Sequence, residues 1–174
     1  MSEEGKKNII LIGFMGSGKT SVGTRLSKEW GYHFIDTDQM IETEYGASIS
    51  TIFEKEGEEK FREMETALLK RLSDTVTKTI IATGGGLPLR KENTVLLKKI
   101  GKIFYLKTNR ETTLTRLSED TTRPLLNQTD KEERIDTLLE ERIPKYEAVA
   151  DEIILADHQS FYEIIQKIEQ LYKK

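Results

Sequence analysis

The stretch Gly13-Phe14-Met15-Gly16-Ser17-Gly18-Lys19-Thr20 constrains this chain more than any other. It satisfies the pattern G-x-x-x-x-G-K-[ST] at every fixed position. A short β-branched run, Asn8-Ile9-Ile10-Leu11-Ile12, precedes it and reads as a buried strand. Val22, Leu26 and Trp30 follow at four-residue spacing and predict a helix over 20–30. Strand, glycine-rich turn and helix are the setting of a phosphate-binding loop. In the turn that holds Gly16, Ser17 and Gly18, successive backbone N–H groups curl inward on phosphate oxygens. The helix N-terminus adds partial positive charge. Lys19 supplies a point charge for the β- and γ-phosphates, and the Thr20 hydroxyl can ligate Mg²⁺. The alternative is a glycine-rich turn that binds nothing.

Composition narrows the partners. The chain has 174 residues, which favours a single domain over 1–174 with room for a sizeable core. Lys+Arg 27 against Asp+Glu 30 leaves a net charge of −3, so neither nucleic acid nor an anionic membrane is expected as a partner. No cysteine is present, which excludes disulfides and thiolate metal sites. No apolar run approaches the roughly 18 residues needed to span a bilayer. Residues 1–7 lead straight into a strand without an apolar signal segment, so a cytoplasmic monomer is expected.

Strand and helix patterns alternate along the rest of the chain. His33-Phe34-Ile35, Thr79 to Thr83, Ile103 to Leu106 and Ile153-Ile154-Leu155 read as further strands. Between them lie a weak helix over 40–45, a helix capped by Ser48, and a strong amphipathic helix over 58–72 carrying Phe61, Met64/Glu65, Leu68, Leu69 and Leu72 on one face. Further on come a helix that Gly101 ends, a helix over 110–117, a long helix over 131–149 that Pro144 is expected to kink or break, and a closing helix over 161–172. Five such alternations imply an α/β domain with a parallel sheet. Ligands then gather at the carboxyl ends of the strands. The phosphate loop, Asp36/Asp38 and Gly84-Gly85-Gly86 all directly follow strands, so they are expected to meet on one edge of the sheet.

Each of these pieces has a functional and a plainer reading. A carboxylate of the Asp36/Asp38 pair can hold a metal-bound water or take a proton from an attacking hydroxyl. It can also cap a helix that starts at Thr37 or Asp38. The three glycines can form a turn with positive φ, or can let backbone N–H groups come close to a ligand. Arg62, Arg123 and Arg142 stand out among residues that are usually solvated. Arg123 lies beside Pro124 in the only long irregular stretch, 118–131. That stretch suits a lid that closes on the γ-phosphate and excludes water, which would otherwise waste the nucleotide. His33 and His158 have no ligating neighbour and carry no metal-site signal. These readings reach a phosphoryl transferase with a lid and an anionic or hydroxylated acceptor. A nucleotide switch that acts through a partner is the rival from another class.

Six pieces in order then resemble the shikimate kinase family, small phosphate-loop enzymes of the nucleoside-monophosphate-kinase type. They are residues 12–20, Phe34-Ile35-Asp36-Thr37-Asp38, Gly57-Glu58-Glu59-Lys60-Phe61-Arg62, Thr83-Gly84-Gly85-Gly86, Arg123-Pro124-Leu125-Leu126 and Arg142-Ile143-Pro144-Lys145-Tyr146. The resemblance runs from Asn8 to the last helix. It implies a three-layer α/β/α fold with a five-stranded parallel sheet of order 2-3-1-4-5, and transfer of the ATP γ-phosphate to the 3-hydroxyl of shikimate. It implies substrate-binding helices at about 38–72 and a lid at about 118–131. Lys19 would contact phosphates, Thr20 would ligate Mg²⁺, and Asp36 would hold the metal's water shell. Asp38 would bind the acceptor hydroxyl as base or orienting group. Arg62 and Arg142 would clamp the shikimate carboxylate, which suits the planar guanidinium fork. Gly84, Gly85 and Gly86 would line shikimate and the γ-phosphate, Arg123 would be the lid arginine, and Arg116 would stack on adenine. Ala156-Asp157-His158-Gln159 departs from the family's adenine-side pattern. A kinase of another small hydroxy acid, such as gluconate, is the alternative within the class.

Overall fold

A computed structural model describes residues 7–118 and 130–173. The strands are Ile9–Ile12 (β1), His33–Asp36 (β2), Thr79–Ala82 (β3), Lys102–Lys107 (β4) and Glu152–Leu155 (β5). All neighbouring pairs are parallel and the order is β2-β3-β1-β4-β5. The helices are Lys19–Trp30 (α1), Thr37–Tyr45 (α2), Ile49–Glu56 (α3), Glu58–Thr75 (α4), Lys91–Ile100 (α5), Arg110–Leu117 (α6), Lys131–Val149 (α7) and Phe161–Tyr172 (α8). A short 3-10 turn, Leu87–Leu89, follows the glycine triplet. The expected fold class and strand order are those observed.

The three layers follow from the two-residue period of a strand. Ile9 and Leu11 face one side, where they pack with Val22 and Leu26 of α1 and Ile164 and Ile168 of α8. Ile10 and Ile12 face the other, against Leu68 and Leu72 of α4, Leu97 of α5 and Leu138 of α7. Both faces of β1 are covered, which is why its sequence is continuously apolar rather than alternating.

One helix differs from expectation and one ends where expected. Helix α7 runs without a break through Pro144. The proline removes one backbone donor, but Leu138, Leu139 and Arg142 before it and Tyr146 and Val149 after it are all buried, and this packing keeps the helix going. Gly101 ends α5 as expected, in an extended conformation with φ −177°. Its glycine is needed because a Cβ there would run into the backbone of Asn8.

Asn8 itself is a tie between layers. It is 2% exposed. Its side-chain amide donates to the carbonyls of Val76 at 3.1 Å and Ile100 at 2.9 Å, where α4 and α5 end. Its carbonyl oxygen accepts from the Thr79 N–H at 3.0 Å, where β3 begins. Asn8→Ala orphans three buried backbone groups, at about 1–3 kcal/mol each before relaxation. Urea denaturation is expected to show a loss of about 2–4 kcal/mol; a loss below about 0.5 kcal/mol would show that water replaces the amide at little cost.

Candidate active site

The strand order decides where the site forms. β2, β3 and β1 are neighbours, and the register aligns Asp36 with Ala82 and Ala82 with Leu11. The segments leaving these three strand ends therefore emerge side by side. Two adjoining cavities open there, of about 530 Å³ and about 450 Å³. Met15, Asp38, Glu42, Gly84 and Gly85 line both.

The larger cavity is walled by Gly16, Ser17, Gly18, Lys19, Thr20 and Asp36, with Arg116 and Phe161 at its edge. Gly16 and Gly18 hold φ of 77° and 95°, which only glycine adopts readily. The Lys19 ammonium donates to the carbonyls of Gly13 at 2.7 Å and Phe14 at 2.9 Å, folding the loop on itself. The Thr20 hydroxyl donates to Asp36 Oδ2 at 2.7 Å. Asp36 Oδ1 accepts from the Gln39 N–H at 3.1 Å and so caps α2. The metal-side and capping readings of this carboxylate are thus compatible, one oxygen serving each, and the helix it caps begins at Thr37. Arg116 is exposed and donates to the Gly16 carbonyl at 2.7 Å, against the phosphate loop. Among the described residues no three His, Asp or Glu side chains cluster as a metal cage. A hydroxyl beside one carboxylate fits Mg²⁺, which keeps most of its ligands as water and phosphate.

The smaller cavity adjoins the larger across the residues that line both. Arg62, Glu65, Gly86 and Arg142 line it, with Phe53 and Phe61 as an apolar wall. Arg62 pairs with Glu65 at 2.8 Å and with Glu58 at 3.4 Å. Arg142 is 4% exposed, and among the described residues no carboxylate forms an ion pair with it. Its guanidinium lies 5.7 Å from the Phe14 ring centroid. Burying a cation without an anion is costly, so this arginine is set up to receive one.

The glycine triplet separates these side chains. None of its members has positive φ. A Cβ on Gly84 would lie 2.5 Å from Asp38 Oδ1, one on Gly85 3.1 Å from Arg142 Nη1, and one on Gly86 2.5 Å from both Arg62 Nη atoms. The turn with positive φ is therefore not what the glycines serve. Their missing side chains are the space in which Asp38, Arg142 and Arg62 sit.

The residues expected from the sequence divide cleanly. Lys19, Thr20, Asp36, Asp38, Arg62, Gly84 to Gly86, Arg116 and Arg142 all reach the two cavities. Arg142 comes from an unbroken helix, not from the break expected at Pro144. Arg123, and the expected lid apart from residues 118, 130 and 131, lie outside the described residues. Glu65 was read only as part of an apolar face. It is fully buried, and its Oε2 has no hydrogen-bond partner. Burial pushes its carboxyl up to about 7 against the attraction of Arg62, with Asp38 adding to the rise and Arg142 opposing it. A carboxylate on a buried helical stripe, three residues after an arginine, was the signal available. Thr37, whose hydroxyl accepts from the Gly84 N–H at 2.9 Å, and Glu42, whose Oε2 accepts from the Ile49 N–H at 2.9 Å, carried no sequence signal.

Comparison with known proteins agrees with this geometry. The family model described as shikimate kinase matches residues 15–173. A shikimate kinase of Thermodesulfovibrio yellowstonii is 45% identical over 168 residues, covering 97% of this chain and 96% of the relative. Shikimate kinase from Acinetobacter baumannii in complex with shikimate superposes with a TM-score of 0.90 at 41% identity, over 95% of this chain and 92% of that one. A gluconokinase from Sinorhizobium meliloti reaches a TM-score of 0.59 at 18% identity over 95% of this chain and 93% of that one, which is a likeness of fold alone. With nearly the whole chain matched, and the glycine triplet interleaved with one aspartate and two arginines, this protein belongs to the shikimate kinase family.

Proposed function

We propose that the chain transfers the γ-phosphoryl group of ATP to the 3-hydroxyl of shikimate. The observation that carries this is Arg142, a buried cation without an ion-pair partner among the described residues, facing the same cavity as Arg62 and Asp38. An acceptor carboxylate would bridge Arg142 and Arg62 and fix the ring. Its hydroxyl would then reach Asp38, which lines both cavities. The hydroxyl oxygen attacks the γ-phosphorus, the bond to the β-phosphate oxygen breaks, and Asp38 takes the hydroxyl proton or orients it. Lys19 and the amides of residues 16–18 hold the phosphates, and the glycine triplet keeps a side chain out of the attack path. Mg²⁺, held by Thr20 and through water by Asp36, would neutralise charge on the β- and γ-phosphates when bound. Glu65 holds the Arg62 guanidinium in place for the carboxylate.

Helices α2 to α4 form the acceptor side of this reading. Residues 118–131 with Arg123 form its lid, and Arg116 stacks on adenine. A cytoplasmic monomer completes it, supported by the cysteine-free composition and by a site lined within one chain. Gluconate lacks the rigid ring that would span two fixed arginines and Asp38 together, so it is the weaker acceptor.

A coupled assay of ADP release tests the reading: turnover is expected to require shikimate, and equal ADP release without it, or turnover only with gluconate, would overturn it. Asp38→Asn should lower kcat by at least about a hundredfold while nucleotide affinity is retained. Normal turnover would remove Asp38 from the acceptor site.

Arg142→Ala removes a charged hydrogen bond worth about 1.5–3 kcal/mol, so the KM for shikimate should rise about ten- to a hundredfold with the KM for ATP within about twofold. Equal changes in both KM values would contradict a carboxylate contact.

Glu65 gives a pH signature. Its folded pKa is raised, so its contribution to stability is largest below its ordinary value of 4.5, falls as pH rises to about 7, and is constant above. At about 1.4 kcal/mol per pH unit, Glu65→Gln should gain up to about 3 kcal/mol on the wild type between pH 4.5 and pH 8 in urea denaturation. Parallel pH–stability curves would show that Glu65 titrates normally.

A further inference from the structure

The buried hydroxyl of Tyr146 contacts neither cavity, yet it touches two groups that do. Tyr146 is 0% exposed, one turn after Arg142 on α7. Its ring packs on that of Tyr105, with centroids 5.2 Å apart. Its hydroxyl donates to the carbonyl of Gly85. The Arg142 guanidinium lies beside the same hydroxyl: a Cβ on Gly85 would be 3.1 Å from Arg142 Nη1 and 3.6 Å from the Tyr146 oxygen. Guanidinium, hydroxyl and glycine carbonyl thus form one chain of contacts, running from α7 into the turn after β3.

The direction of that carbonyl matters. A trans peptide points its C=O and its N–H to opposite sides. With the Gly85 oxygen drawn back to a fully buried hydroxyl, the Gly86 N–H is turned to the opposite side of the peptide, and both glycines line the smaller cavity. Neither the Gly85 nor the Gly86 N–H has a hydrogen-bond partner among the described residues. A glycine peptide has little torsional preference of its own, so something else must hold this one. The Leu87 N–H donates to the Gly84 carbonyl at 3.1 Å and closes a turn around this peptide, but that bond is compatible with either orientation of the central peptide. The Gly84 N–H, held by Thr37, and the Gly86 carbonyl, which accepts from the Leu89 N–H, belong to the peptides on either side.

We infer that Tyr146 is a positioning residue for the acceptor: its hydroxyl fixes the Gly85–Gly86 peptide so that the Gly86 N–H faces the acceptor, and sets the Arg142 guanidinium in the same act. This rests on the reading that the smaller cavity takes shikimate. The hydroxyl touches no substrate and moves no proton. Burial raises its pKa to about 12, so it remains a donor throughout the working pH range.

Tyr146→Phe keeps the ring on Tyr105 and removes only the hydroxyl. The KM for shikimate is expected to rise about tenfold or more, with the KM for ATP within about twofold and the melting temperature within a few degrees. In ¹⁵N–¹H spectra of that variant, the Gly85 and Gly86 amide signals should shift while those of Gly16 and Gly18 stay in place. A KM for shikimate within twofold of the wild type, or equal changes in both KM values, would overturn the inference. In the wild-type chain the Tyr146 hydroxyl proton should exchange slowly enough with water to give its own resonance; exchange too fast to observe would overturn it as well, whether or not the variant folds. Wild-type turnover of shikimate in the same assay separates the two levels. If it is absent, the acceptor reading fails; if it is present and Tyr146→Phe behaves as wild type, only this inference fails.

Discussion

The ladder that joins β3 to β2 on one side and to β1 on the other holds everything else in register. Asp36, the end of β3 and the phosphate loop leave three adjacent strand ends, so no part of the site has to reach across the molecule. The ladder continues beyond the strands: the Thr83 N–H and hydroxyl both donate to the Leu11 carbonyl, at 3.1 Å and 3.0 Å. Thr37 then ties the Gly84 N–H to the start of α2. On the far side the Leu87 N–H donates to the Gly84 carbonyl at 3.1 Å, so the glycine triplet is pinned at both flanks.

Electrostatics on the acceptor side follow from that pinning. The triplet leaves three side-chain-sized spaces, and Asp38, Arg62 and Arg142 occupy them. Arg62 has Glu65 and Glu58 to balance it, whereas among the described residues no carboxylate pairs with Arg142. Glu65 shares in both, since it pairs with Arg62 and feels Arg142 at longer range. Burial of that carboxyl is tolerable only because the cations stand near it. On the proposed reading, an incoming carboxylate would meet one guanidinium already oriented and a second without an ion-pair partner among the described residues.

Much of this was legible in the sequence, for reasons that differ from piece to piece. The strands show as apolar runs because a doubly covered parallel sheet demands them, and the phosphate loop shows because its residues are contiguous. Asp38 stands out because it follows a strand end downstream of the phosphate loop, whereas the role of Arg62 is legible only through the family resemblance. What escaped was whatever depends on distance in space. The glycine triplet was known to need an explanation, but the contacts that explain it come from Asp38, Arg62 and Arg142, up to 57 positions away. Pro144 predicts a kink or a break, and buried side chains on both sides of it keep the helix continuous. Glu65 sat on a stripe that periodicity alone counted as apolar. Thr37, Glu42 and Tyr146 matter through backbone partners, which leave no mark on residue type.

A crystal structure with shikimate and a non-hydrolysable ATP analogue tests the central claim most directly. The account predicts the shikimate carboxylate between the Arg62 and Arg142 guanidinium groups, and the 3-hydroxyl within hydrogen-bond distance of Asp38 on the side facing the γ-phosphate. Shikimate bound elsewhere, or with its carboxylate turned away from Arg142, would contradict it.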